Sequence, residues 1–172
     1  MVKSNQQKIF LLRCQSALFY WLWLPGVVIG SGLALDAWLD LGRWPHGILA
    51  ISAALLVLAT GLALIAWSER DLKHLGQGTP SPAQPTRQLV TSGSFHLCRH
   101  PMFLGYNLAG LAVIFLTGSP AMLTVSFPMM LLWQVPFLRK EEKILARRFS
   151  AEYVDYQAKT PFLIPFLPPN HR

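Results

Sequence analysis

Residues 102–138 read MFLGYNLAGLAVIFLTGSPAMLTVSFPMMLLWQVPFL, 37 consecutive positions without Asp, Glu, Lys or Arg. One membrane-crossing helix needs about 20 apolar residues, so the run is too long for one and suits two. Thr117-Gly118-Ser119-Pro120 lies near its middle, and Gly and Pro punctuate regular structure. The stretch therefore predicts a tight helical hairpin, with arms at 102–117 and 120–138. The first arm is short.

Two further apolar segments precede it, about Ser16–Leu35 and Gly47–Trp67. The first follows Lys3, Lys8 and Arg13 and so resembles a secretory leader. Its uncharged core, 14–35, exceeds a usual leader core, and no clear small-x-small site follows. A retained anchor is expected. The chain is 52% hydrophobic and only 13% charged, against about 25% charged in soluble domains. The expectation is an all-α integral membrane protein with about four transmembrane helices and a cytosolic C-terminal amphipathic helix.

Basic residues set the orientation. Lys3, Lys8 and Arg13 precede span one; Arg70, Lys73, Arg87 and Arg99 lie between spans two and three. Arg139, Lys140, Lys143, Arg147, Arg148, Lys159 and Arg172 follow span four, which leaves only Arg43 in the loop between spans one and two. Cytoplasmic loops carry the excess of Lys and Arg, so both termini and the 68–101 segment are expected in the cytoplasm, in a bacterial inner membrane. These cations flank apolar segments rather than forming a stripe, so the net charge of +7 does not point to nucleic acid. The expected organisation is an N-terminal helix pair, 1–67, and one integrated unit, 68–172, of loop, hairpin and C-terminal helix. Cys14 and Cys98 are the only cysteines; they have no zinc spacing and are read as free thiols, with no metal site.

All substantial polar chemistry then lies on one side. Pro101 suits the first position of a helix, where its missing N–H costs nothing. Arg99 and His100 then sit at a helix N-terminus, whose partial positive charge and unpaired N–H groups favour an anion. Gly105, one turn on, leaves backbone room. An alternative is that Arg99 only snorkels to headgroups. In RKEEKILARRFSAEYVDY, 139–156, helical spacing puts Glu142 in one apolar stripe with Leu138, Leu145, Phe149, Tyr153 and Tyr156, and Glu141 on its shoulder. A carboxylate aimed into an apolar face is costly unless paired. Glu142 either awaits a cationic ligand group or pairs with Arg99 or Arg139. A cation and a carboxylate at one membrane surface suit a zwitterionic amino-acid moiety. Gly76-Gln77-Gly78 follows no strand and reads as a flexible loop. Tyr106 and Asn107 are moderately polar positions in span three, suited to a cavity wall or, for Asn107, to helix packing.

LGQGTPSPAQPTRQLVTSGSFHLCRHPMFLG, followed by EEKILARRFSAEYVDYQAKTPFLIP, resembles the isoprenylcysteine carboxyl methyltransferase family, related to membrane phospholipid methyltransferases. The resemblance spans about 68–165. It implies a small multi-span protein binding S-adenosylmethionine at the cytosolic surface, through Arg99, His100, Pro101, Gly105, Glu141 and Glu142, with Gly76 and Gly78 less securely. A lipophilic acceptor is implied, either a prenylcysteine-like carboxylate or a lipid headgroup. Tyr106, Asn107, Tyr153 and Tyr156 are expected to face it. No catalytic residue is assigned. Phe103 stands where Tyr is common, His96 for a frequent Arg, Ser150 for a frequent Gly, and Phe162 where the family often has Arg. The last puts the acceptor in doubt. Two rival readings are a membrane reductase using NADPH and a non-catalytic membrane protein with a degenerate pocket.

Overall fold

The computed structural model describes residues 23–79 and 85–167. The start of the expected first span, Cys14, the N-terminal cations and Arg172 lie outside the described residues. Five helices are described: α1 (Leu24–Trp38), α2 (Ile48–His74), the single turn α3 (Ser94–Leu97), α4 (Pro101–Thr117) and α5 (Phe127–Lys159), the last preceded by a π-helical turn at Met122–Ser126. No strand occurs among the described residues.

The hairpin forms where the sequence places it. Pro101 is the first residue of α4 and Gly118 ends it in the left-handed region at φ 65°, its N–H donating to the Ile114 carbonyl at 3.0 Å. Glycine carries no Cβ penalty there. The return helix is capped from two sides. Ser119 Oγ accepts the Met122 N–H at 3.0 Å, and Asp36 Oδ1, from the end of α1, accepts the Ala121 N–H at 2.9 Å. One orphan N–H group of the helix start is thereby satisfied by a residue 85 positions away.

Close packing relies on small residues. A Cβ on Gly61 would lie 2.6 Å from the Gly105 carbonyl, and one on Gly105 2.6 Å from the Gly61 carbonyl, so α2 and α4 touch backbone to backbone. Membrane helices, which gain little from hydrophobicity against lipid, associate through such approaches. Gly32 of α1 packs on Met122, and Ser31 Oγ lies 3.0 Å from Ser126 Oγ. Within the α4–α5 pair, Asn107 Nδ2 donates to Gln134 Oε1 at 3.0 Å.

α2 is the one described helix long and apolar enough to cross a membrane. Ile48, Leu49 and Leu56 on it are 85%, 82% and 70% exposed within the protein, a surface that water disfavours and lipid accepts. α1 and α4 are shorter apolar helices.

Two expectations need correction. The 68–101 segment is not a loop throughout: α2 runs on to His74, so Arg70 and Lys73 are helical, and Ser94–Leu97 forms a turn. The C-terminal helix does not start afresh after the membrane stretch either: α5 carries the fourth apolar stretch on to Phe149, and a kink at Ser150 sets off its last turns to Lys159. No glycine or proline occurs from Phe137 to Phe149, so the helix continues past the change from apolar to charged sequence. Its one interruption is Ser150, at φ 48° and ψ −121°.

Candidate functional site

The turn that delivers Arg99 and His100 is fixed from three directions. Asp71, near the C-terminal end of α2, accepts the Ser94 N–H at 2.8 Å and the Ser94 hydroxyl at 2.7 Å. Gly93 sits against that carboxylate at φ 64°, where a side chain would be strained and would collide with it. The Tyr156 hydroxyl of α5 donates to the Phe95 carbonyl at 2.6 Å. Finally the Arg99 N–H donates to the Pro161 carbonyl at 2.8 Å, which pins the segment after α5 beside the start of α4.

Arg99 and His100 are thereby buried, 6% and 5% exposed, and both meet α5. Arg99 Nη1 is in direct charge contact with Glu142 Oε1. His100 Nε2 lies 3.6 Å from the same oxygen, and His100 Nδ1 lies 3.9 Å from Glu141 Oε2. The two carboxylates differ in access: the Glu142 side chain is 11% exposed and that of Glu141 45%. Burial pushes the Glu142 carboxyl up, but His100 and the Arg99 guanidinium outweigh it, and the group is held below the ordinary carboxylate range.

Polar capacity is left over at this cluster. Arg99 Nε and the Tyr153 hydroxyl are buried without a partner, while Arg99 Nη1, His100 Nε2 and Glu142 Oε1 face one another without an aligned hydrogen bond. Buried polar atoms are ordinarily satisfied, so the free Arg99 Nε and Tyr153 hydroxyl beside this ion pair leave hydrogen-bonding capacity for a polar group. Burial above all raises the Tyr153 phenol, as does Glu142, so it stays a protonated donor. Cys98 beside the site is fully buried and its thiol is pushed up to about 11, again by burial, which makes it a poor nucleophile.

Phe162 closes one side. Its ring meets His100 edge-on at 5.0 Å and lies 5.3 Å from the Arg99 guanidinium carbon. On the other side an aromatic series leads along α4 and α5 toward the apolar region: His100 to Phe103 at 6.3 Å, Phe103 to Phe137 at 5.8 Å, and Phe137 to Trp133 at 6.2 Å.

The structure brings together Arg99, His100, Pro101, Glu141, Glu142 and Tyr153. Tyr106 stands by the aromatic series, 6.4 Å from Phe103. Gly105 faces Gly61 at the helix crossing instead. Asn107 is bonded to Gln134, and the Tyr156 hydroxyl to Phe95. Gly76 and Gly78 pack against Thr86, where a Cβ would meet its methyl at 2.8 Å or its nitrogen at 2.6 Å, and Gly76 O accepts the Arg87 N–H at 2.7 Å. Asp71 escaped the sequence reading, since a partner 23 residues away leaves no periodic trace. The place of Phe162 also depends on the fold.

The model of the family described as phospholipid methyltransferase matches residues 49–152, from the start of α2 to beyond the break in α5. The chain belongs to that family. The chain is 26% identical over 153 residues to protein-S-isoprenylcysteine O-methyltransferase of Mus musculus, covering 78% of this chain and 50% of that one. It is 29% identical over 154 residues to methanethiol S-methyltransferase 2 of Bradyrhizobium diazoefficiens, covering 87% and 55%. Over 81 residues, 46% of this chain and 33% of the relative, it is 35% identical to protein-S-isoprenylcysteine O-methyltransferase of Saccharomyces cerevisiae. The chain spans about half the length of the mouse and Bradyrhizobium relatives.

Proposed function

We propose that this chain transfers a methyl group from S-adenosylmethionine to a lipophilic acceptor at the cytosolic face of a membrane. The observation that carries this reading is the group of under-bonded buried polar atoms around Arg99 and Glu142 at the start of α4, in a chain of this family. The donor group fits: its carboxylate suits Arg99 Nε, His100 Nε2 and the amino end of α4, and its ammonium suits the half-exposed Glu141. Bound there, it supplies a methyl group on a positively charged sulfur, open to direct displacement.

The chain's own residues bind and orient. Glu142 holds the Arg99 guanidinium in place, and Tyr153 offers a hydroxyl donor. Phe162 and the buried surroundings keep water from the ion pair. Orientation alone contributes on the order of 7–11 kcal/mol in favourable cases. A carboxylate acceptor arrives ionised and needs no base. A thiol or amine must lose a proton, and His100 Nδ1, the ring nitrogen turned away from Glu142, is the atom assigned to receive it. The names of the mouse and Bradyrhizobium relatives denote transfer to oxygen and to sulfur respectively. Here a prenylcysteine-like carboxylate or a lipid headgroup is the preferred acceptor, approaching along the aromatic series. Four spans with both termini cytoplasmic place the donor site on the side where the methyl donor is made. The family match favours methyl transfer over a nicotinamide-linked reduction.

The test is incubation of the purified chain with methyl-labelled S-adenosylmethionine, total membrane lipid and prenylated thiols, followed by identification of the labelled product. Label in a lipid-extractable product that is lost in Arg99→Ala supports the reading. Binding of NADPH but not of S-adenosylmethionine overturns it.

A further inference from the structure

Residues 161–167 present two contrasting faces. Inward, Pro161 accepts the Arg99 N–H, and Phe162 covers Arg99 and His100. Outward, Ile164, Phe166 and Leu167 are 54%, 99% and 54% exposed. Phe166 adopts φ 71°, a conformation uncommon for an aromatic residue. Three large apolar side chains left bare within four residues are a poor design for a water-facing tail.

Their height in the molecule identifies what covers them. Pro161 is bonded to Arg99, two residues before α4 begins its apolar run, so the segment lies level with the mouth of that helix. Glu142 touches Arg99, so Arg139, Lys140 and Lys143, within one turn of it, share this level, and all three are exposed. Exposed apolar side chains beside exposed cations, at the end of membrane-directed helices, match the boundary between acyl chains and anionic headgroups.

We propose that residues 161–167 form an interfacial anchor that embeds Ile164, Phe166 and Leu167 in a lipid surface enriched in anionic headgroups, and that this seating holds Phe162 over Arg99 and His100. The proposal rests on α2 and α4 lying in a bilayer, and its first test does not depend on methyl transfer. The full chain, with Cys14→Ser and with Cys98 fully buried, is labelled through Phe166→Cys with a polarity-sensitive fluorophore and reconstituted in phosphatidylcholine vesicles with or without phosphatidylglycerol. Leu56→Cys, in the apolar first half of α2 and read with lipids brominated deep in the acyl chain, is the control for insertion. Loss of fluorescence to lipids brominated near the headgroup end of the acyl chain is expected at position 166, and more of it with phosphatidylglycerol. In Lys140→Gln with Lys143→Gln that extra loss disappears.

A water-like signal at 166 while the Leu56→Cys label is quenched overturns the anchor alone. If neither label is quenched, the membrane reading falls and the anchor with it. The coupling is read separately: Ile164→Ser with Phe166→Ser weakens S-adenosylmethionine binding in vesicles but not in detergent. Equal affinity of variant and parent in vesicles refutes the coupling. An absence of donor binding in the parent protein defeats the proposed function while leaving the quenching result intact.

Discussion

Arg99 is held by a carboxylate, a backbone carbonyl and an aromatic ring, and it still keeps Nε without a partner. Glu141 and Glu142, adjacent in sequence, therefore have different work. Removing one partner of a buried ion pair costs roughly 3–5 kcal/mol, so Glu142→Gln should lower the unfolding temperature markedly as well as weaken donor binding. Glu141→Gln should leave unfolding nearly unchanged and weaken donor binding, as measured by calorimetry. The pH response follows from the lowered carboxyl of Glu142. Its contribution is fully present above the unfolded carboxylate value of about 4.3 and is lost as pH falls through the lower folded value. Acid unfolding monitored by circular dichroism should show that loss, and Glu142→Gln should lack it. Ser150 is a second residue-scale case. At φ 48° a residue with a Cβ is strained by about 1–2 kcal/mol, so Ser150→Gly should raise the thermal midpoint. A fall would mean the break in α5 needs the hydroxyl.

Between elements, the α2–α4 contact has the least tolerance. A side chain at Gly61 or Gly105 meets the opposing backbone, and backbone cannot move aside as a flexible side chain can. Gly105→Leu should give little folded protein in detergent size-exclusion chromatography, whereas Gly26→Ala, with open space around it, should behave like the parent. That crossing carries function indirectly. α2 brings Asp71 to the turn that presents Arg99 and His100, and α5 brings Tyr156 to the same turn. The Arg99–Glu142 cluster is therefore built by three helices whose mutual positions are set by small residues and a few buried polar bonds. The Asn107–Gln134 bond, between α4 and α5, adds to this within the apolar region. Such interhelical bonds average about 0.6 kcal/mol, so Gly105→Leu should be far more damaging than Asn107→Leu.

For the whole molecule, cations and the polar cluster lie toward one end, while Asp36, Trp44 and the Gly118 turn meet at the other, where Trp44 N–H donates to Gly118 O at 3.3 Å. Among the described residues this polarity suits apolar helices that lie in a bilayer between a cationic face and a nearly uncharged one. An impermeant thiol reagent should reach Gly42→Cys and Gln88→Cys from opposite sides of sealed vesicles, in a background where Cys98 is buried. Labelling of both from one side would require an even number of crossings, or none, between them.

The sequence by itself determined the helical class, the hairpin and its turn, and the presence of an acid, Glu142, on an apolar helix face. A 37-residue uncharged run, Pro before it, Gly at its middle and an acid on an apolar stripe are local patterns, and hydrophobic burial and backbone sterics act on them locally. Only the tertiary structure decided which groups are already committed. Glu142 is occupied by Arg99, Gly105 by Gly61, Asn107 by Gln134 and Tyr156 by Phe95, and Phe162 is set over the site. Each of these pairings, Phe162 with Arg99 included, joins residues at least 27 positions apart. Periodicity tells which face a side chain occupies, but the partner on the facing element follows from helix crossing and register, which no short-range pattern encodes.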